Sequence, residues 1–352
     1  MLSYDKLNIS RSLGVHRVIE PADSLPQAAW KLDNTPIAQL SETLVDVQAL
    51  HIDSASFMQI ANACDRDPER MKRYIMDITH QRGKMHNPNT GSGGVLIGVV
   101  CELDDLYGKI HDLTIGDTII SLTSLSWLPL YIENINAIHL DRSEVEVTGK
   151  ATFFRSNPLV KMPTDLPGNI IVAALDVAGA PSRAAMLVQP GQRITVLGAG
   201  GTAGLLTLCA LRQRLGSHGE IIAVEYDEHA LHDVASLNVA DILVHGNATK
   251  ALELVKQVQD ACSGEYLADL AINVVNVPNT EFATILLTKP QGNILFFSMA
   301  TSFTAAALIA EGMASQVEMQ IGNGYMPDKG AISLQLLRDY PALRAIFTKR
   351  FS

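Results

Sequence analysis

Cysteine is scarce, with four in 352 residues. Cys64, Cys101, Cys209 and Cys262 stand far apart and form no C-x-x-C pair. That spacing argues against a disulfide framework and against a structural zinc site. Cys101 and Cys209 lie in apolar segments and read as core residues, so a reducing, cytoplasmic setting is expected. No block of like charge occurs. The 37 acidic and 27 basic residues give a net charge of −10, spread along the chain. Nucleic acid is therefore not an expected partner. No apolar run has the length of a membrane span, and Ala300 to Ala310 is too short and too rich in small residues. A membrane is not an expected partner either. The opening Met1-Leu-Ser-Tyr-Asp-Lys6 has no basic segment leading into an apolar one, so it does not read as a secretory signal. No internal repeat or low-complexity tract is present.

What is present begins with Ile194-Thr-Val-Leu-Gly-Ala-Gly-Gly-Thr-Ala-Gly-Leu-Leu206. An apolar run enters a glycine cluster, and a Leu/Ala-rich run leaves it. Glycine is needed where the backbone bends sharply and where it must approach a pyrophosphate. The helix that follows points its free N–H groups and positive dipole end at the anion. A second strand, Ile221-Ile-Ala-Val224, then ends in Glu225, where an acidic side chain would accept the ribose hydroxyls of a dinucleotide. A carboxylate there repels a 2′-phosphate, and Tyr226-Asp-Glu-His229 adds no cation. NAD is the expected cofactor. Gly198, Gly200, Gly201, Thr202 and Ala203 are expected to cradle the pyrophosphate. Ala203 stands where G-x-G-x-x-G has its third glycine, with Gly204 just after it. That leaves open whether the loop is one residue longer than usual.

The C-terminal half alternates strand and helix. Strands are expected at 194–197, 221–225, 242–244, 270–275, 293–297 and 317–321. Helices are expected at 202–215, 228–237, 249–261, 279–287 and 330–348. Such alternation makes right-handed βαβ units and a doubly wound parallel sheet, an α/β fold. A helix at 166–186 precedes the first strand. In the N-terminal half, 42–48, 94–100 and 118–122 read as strands, and 115–117 as a tight turn between strands. Helical spacing fills 56–82. Together these suggest a partly closed β structure with a helical insertion. The expected division is a substrate domain over 1–168 and an NAD-binding domain over 169–352. Asn276 and Ser298 follow strands at the carboxyl edge of the sheet, where ligands sit. Contact with the nicotinamide ribose or amide and plain turn chemistry are both open for them.

This order of parts resembles the medium-chain dehydrogenase/reductase superfamily, which implies a GroES-like β domain followed by a Rossmann domain. Gly94 to Val100 and Ile115-Gly-Asp-Thr-Ile119 fall at two of its signatures. Within it the chain is similar to the L-erythro-3,5-diaminohexanoate dehydrogenase family of bacterial lysine fermentation. The resemblance rests on Gly14-Val-His-Arg-Val-Ile-Glu-Pro21, Lys31-Leu-Asp-Asn34, Leu50 to Phe57, Asn87 to Gly94 and Ile321-Gly-Asn-Gly-Tyr325. Zinc-dependent superfamily members carry Cys near Asp53 or Ser54 and His near Gly94. Neither is present, and a catalytic zinc wants three such ligands, so no metal is expected.

The resemblance implies oxidation of the C3 amine of a diamino acid, hydrolysis of the imine, and release of ammonium. Such a site needs a base, a positioned water, a cation for the carboxylate and a polar cage for the distal ammonium. Asp53, Ser54 and His86 are the catalytic candidates, although Asp53 and Ser54 also suit a helix N-cap. Arg82 and Lys84 are candidates for the carboxylate. His16, Arg17 and Glu20 either line the site or tie down the N-terminus. An edge strand at 317–321 implies, by the same resemblance, a homodimer or a dimer of dimers. A zinc-free quinone or enoyl reductase and a non-catalytic NAD sensor are the alternatives.

Overall fold

A computed structural model describes residues 6–91, 93–298, 300–322 and 330–351. The chain divides into two units, Met1–Gly168 and Asn169–Ser352.

In the first unit, α1 (Lys6–Leu13) leads into a small antiparallel pair, β1 (Val18–Glu20) and β2 (Lys31–Leu32). There follow β3 (Glu42–His51), α2 (Ser54–Ala63), α3 (Pro68–Arg82), β4 (Val95–Glu102), α4 (Asp105–His111), β5 (Thr118–Ser121), β6 (Leu130–His139), β7 (Glu144–Phe154) and β8 (Leu159–Lys161). Six strands form an antiparallel sheet in the order β6-β7-β3-β4-β5-β8. Its buried face supplies Val47, Leu50 and Leu96, and these join Ile60 and Ile75 of the helices in one apolar core. The helices start where the sequence directs. Asp53 caps α2, and Asp67 caps α3 just before Pro68, whose missing N–H costs nothing at that position.

Strands β6, β7 and β8 have no counterpart among the expected elements. Register shifts at Ile132/Asn134 and Ile135/Ala137 interrupt the alternation of β6. The turn at 115–117 follows α4 rather than a strand. It is tied to β4 by hydrogen bonds from Gly116 N–H to Val100 O (2.8 Å) and from Val100 N–H to Asp117 O (3.0 Å).

The second unit opens with α5 (Gly168–Asp176) and α6 (Gly179–Leu187), where one helix was expected over 166–186. The two are bent by 52°. Strands β9 (Arg193–Leu197), β10 (Glu220–Glu225), β11 (Ile242–His245), β12 (Ala268–Asn273), β13 (Thr288–Phe296) and β14 (Glu318–Ile321) alternate with α7 (Thr202–Leu215), α8 (Glu228–Leu237), α9 (Ala251–Ala261), α10 (Glu281–Leu286) and α11 (Phe303–Gly312). The sheet is parallel, in the order β11-β10-β9-β12-β13-β14. That is the doubly wound dinucleotide-binding order, with its switch point beside β9. The helix expected over 330–348 is two, α12 (Ala331–Asp339) and α13 (Pro341–Phe351). Pro341 has no N–H to continue the first and suits the first position of the second. Among the described residues no single helix is long and apolar enough to cross a membrane.

Candidate active site

The glycine loop runs from the end of β9 at Leu197 to the start of α7 at Thr202. Thr202 and Ala203 already belong to the first turn of α7, so the connection is four residues, 198–201, with no extra residue. The close approach falls to Gly204. A Cβ there would collide with the carbonyl oxygens of Gly198 and Ala199. Gly204 therefore does the work of the third glycine in the usual pattern, letting helix and strand touch. The first intrahelical bond runs from Leu205 N–H to Gly201 O (2.9 Å). The N–H groups before it open the helix toward an anion.

Glu225 closes the other side of this cradle. Its Oε2 accepts from Gly200 N–H (2.8 Å), and its Oε1 from Tyr226 N–H (2.8 Å) and Asp227 N–H (3.1 Å). The carboxylate is thus fixed at the tip of β10, beside the loop. Arg350 is not among the expected site residues. Its guanidinium donates to Gly200 O (2.8 Å) and pairs with Asp233 Oδ2 (2.5 Å). At a separation of 150 positions, no local pattern links Arg350 to the loop. Asn276 is exposed beyond the end of β12. Ser298 Oγ accepts from Ala300 N–H (3.1 Å), which is turn chemistry.

In the first unit, Asp53 Oδ1 accepts from Ser56 N–H (3.0 Å) and so acts as a helix cap. Ser54 opens α2, and its side chain lies outside the described residues, as do Ser92 and Asn323 to Tyr325. Gly94 sits against this turn with φ 104°, and a Cβ on it would strike His51 O and lie 2.8 Å from Asp53 N. A side chain at this position has no room.

Residues 82–91 fold back over α2, and residues on both sides of position 92 meet 125–130. Asn87 Nδ2 donates to Gln59 Oε1 (2.8 Å), and Ser56 Oγ meets Thr90 Oγ1 (2.5 Å). On the other side Leu130 N–H donates to Gly83 O (2.9 Å) and Leu125 N–H to Gly94 O (2.8 Å). The two expected carboxylate-binding cations are spoken for by backbone. Lys84 is fully buried, and its Nζ donates to Pro26 O (2.5 Å) and Gln27 O (2.9 Å). Arg82 donates to Trp30 O (3.2 Å) and His86 O (2.6 Å), with its guanidinium 4.4 Å from the centre of the Trp30 ring. Burial, with Arg82 adding repulsion, pushes the Lys84 pKa down to about 7. Burial also lowers His86, and Lys84 and Arg82 add to it, giving about 4. His86 is therefore neutral at neutral pH. Its Nδ1 is buried without a hydrogen-bond partner.

The N-terminal cluster is a strut. Arg17 is 1% exposed and pairs with Glu42 through Nε (2.8 Å) and Nη2 (2.6 Å), while His16 Nε2 meets the same carboxylate at 2.7 Å. Burial alone would raise the Glu42 pKa. Hydrogen bonds from Arg17, His16 and Gln39 N–H outweigh it and hold the carboxyl at about 2. Glu20 is exposed at the end of β1. Elsewhere on the sheet, His139, Glu144 and Glu146 bring donor atoms within 4.8 Å of one another. These groups are already paired: His139 with Glu146 at 2.7 Å, and Glu144 with Arg142 at 2.9 Å.

An antiparallel β unit followed by a doubly wound sheet with this loop is a two-part fold that solved oxidoreductases also have. Solved structures share the fold at low identity. A mycobacterial protein complexed with NADPH superposes with TM-score 0.52 at 13% identity, over 90% of this chain and 84% of that one. A mycobacterial quinone oxidoreductase gives 0.51 at 13%, over 90% and 83%. The profile described as L-erythro-3,5-diaminohexanoate dehydrogenase N-terminal domain matches residues 16–163. Two curated relatives bear the name L-erythro-3,5-diaminohexanoate dehydrogenase. The Acetoanaerobium sticklandii protein is 44% identical over 340 residues, 96% of this chain and 98% of that one. The Fusobacterium nucleatum protein is 46% identical over 339 residues, 96% and 97%. The chain belongs to the L-erythro-3,5-diaminohexanoate dehydrogenase family.

Proposed function

We propose that the protein oxidatively deaminates (3S,5S)-3,5-diaminohexanoate to 5-amino-3-oxohexanoate and ammonium, with NAD as electron acceptor. Identity of 44% and 46% along 96% of the chain to two enzymes of that name carries the reading. The setting we infer is bacterial lysine fermentation. When bound, the nicotinamide supplies a hydride acceptor for C3 of the substrate. The N–H groups at the start of α7 would hold the pyrophosphate and Glu225 the adenosine ribose. A 2′-phosphate would meet the Glu225 carboxylate, which supports NAD over NADP.

The remaining steps are proton handling. A C3 ammonium must lose a proton before its carbon releases hydride. His86 is neutral and offers an unpartnered Nδ1, so it is our candidate acceptor. Asp53, fixed at the head of α2, contributes negative charge for a substrate ammonium. Water then adds to the imine. The balance is ammonium substrate, NAD⁺ and water in, and ketone, ammonium, NADH and one proton out. We also propose a homodimer through β14, which is paired on one side by β13 and exposes Ile321. A single-protomer mass in sedimentation would contradict that part.

The test is a panel of β-amino acids and their α-amino isomers, followed by NAD⁺ reduction and ammonium release together. 3,5-Diaminohexanoate should lead the panel with both products. NADH without ammonium, or no preference for the β-amine, would refute the deaminase reading.

A further inference from the structure

Buried charges are ordinarily paired, and buried N–H groups ordinarily find acceptors. The neighbourhood of residues 82–94 breaks both rules. Among the described residues no carboxylate pairs with Arg82 or Lys84, which rest on backbone carbonyls and on the Trp30 ring. An uncompensated positive region inside a protein favours an anion. Arg82 turns Nε and Nη1, and Lys84 its Nζ, to carbonyls of the chain itself, so a further donor nearby would help to hold an anion drawn to them.

Trp127 supplies one. Its indole Nε1 is buried and has no hydrogen-bond partner. A buried indole N–H usually has one. The segment that carries it runs beside the cationic one. Leu130 N–H bonds Gly83 O at 2.9 Å, and Leu125 N–H bonds Gly94 O at 2.8 Å. A Cβ on Gly93 would lie 2.5 Å from Met85 O and 2.8 Å from Ser126 N, so Gly93 sits between these two residues. The residues immediately following them, His86 and Trp127, each hold a buried ring nitrogen without a partner. Neutral His86 carries one donor and one acceptor nitrogen, whereas the indole is a donor only.

We propose that Trp127 is a specificity-determining residue that donates its indole N–H to the substrate carboxylate, in the field of Arg82 and Lys84. The inference rests on the deaminase reading for the identity of the substrate. A 3,5-diaminohexanoate zwitterion carries one anionic acceptor, the carboxylate, and two ammonium groups. The indole donor therefore matches the carboxylate. The indole N–H is covered in this structure, so binding includes a local shift that opens it.

Trp127→Phe removes the N–H and keeps an aromatic ring. Binding is read by calorimetric titration of 3,5-diaminohexanoate into the protein saturated with NADH, so that no turnover is needed. The Kd should rise about tenfold or more, as for a lost hydrogen bond to a charged group. NADH affinity and the melting temperature should stay unchanged, because the donor has no partner within the protein. In turnover, KM should rise with kcat within about threefold, as for a contact made equally in ground and transition states. An unchanged substrate Kd overturns the inference, and so does a Kd rise accompanied by equal loss of NADH affinity or of thermal stability. Wild-type protein that binds the diamino acid but never reduces NAD⁺ would sink the deaminase reading and leave the Trp127 result standing. Wild-type protein that does not bind it at all would overturn both.

Discussion

The two units build their sites from different material. In the C-terminal unit the cradle is backbone: N–H groups at the head of α7, a close approach at Gly204, and one carboxylate, Glu225, pinned to the Gly200 N–H. In the N-terminal unit the candidate residues are side chains, and most are already engaged by the protein. Lys84 and Arg82 hold carbonyls, Arg17 and His16 hold Glu42, and Asp53 caps a helix. Chemistry made by backbone is written in glycine spacing. Chemistry made by side chains depends on which neighbours the fold brings near, so the same residue types serve as ligand contacts or as struts.

The sharpest way to separate the two is Gly204→Val. Its branched side chain meets the Gly198 and Ala199 carbonyls, and overpacking of this kind costs about 1–3 kcal/mol even before the cradle is displaced. NADH binding, followed by fluorescence, should be lost, while the N-terminal unit keeps its own protection in hydrogen exchange. Glu42→Gln should do the reverse. Breaking a buried pair costs about 3–5 kcal/mol, read by urea unfolding, with NADH affinity retained by the protein that remains folded. The Glu42 contribution also has a pH signature. The folded value is about 2 against 4.5 unfolded, so its stabilisation is present above pH 4.5 and lost as pH falls toward 2. The variant should lack that acid slope.

The contrast between the units is also a record of what the sequence discloses. The α/β class, the parallel doubly wound sheet and the limits of α7 and α8 follow from alternation and from the glycine cluster, because both are local. The six-stranded antiparallel sheet is only half legible. Bulges disrupt β6, and the pairing of β3 with β7 joins Glu42 to Phe154, which no window of sequence connects. Glu225 is legible because its distance from the loop is set by one βαβ unit. Arg350 and Glu42 are not, because each bonds a segment remote in sequence. The split of the last helix is visible in Pro341, yet the apolar pattern runs through it.

Smaller effects refine the comparison. Glu225→Gln should lower kcat/KM for NAD⁺ by about ten- to hundredfold and narrow the preference over NADP⁺, as expected for lost hydrogen bonds to a charged acceptor. Lys84→Met should leave NADH affinity intact and change the alkaline limb of stability. With a folded pKa of about 7 against 10.5 unfolded, the unfolded chain holds the extra proton between those values, so wild-type stability rises with pH across that window. The variant should be flat there. His86→Gln should have the mildest effect on stability. Its folded value of about 4 against 6.5 makes wild-type protein lose stability as pH falls through that range, and the variant should lose less. Its kcat should fall without a change in NADH affinity.

The proposed deamination couples hydride transfer to release of a C3 amine. One stopped assay tests it: NAD⁺ and 3,5-diaminohexanoate with the wild-type protein, with NADH and ammonium measured in the same samples. The account predicts the two products in a one-to-one ratio from the first time point. NADH accumulating without ammonium would contradict it, as would absence of both from a protein that binds NADH.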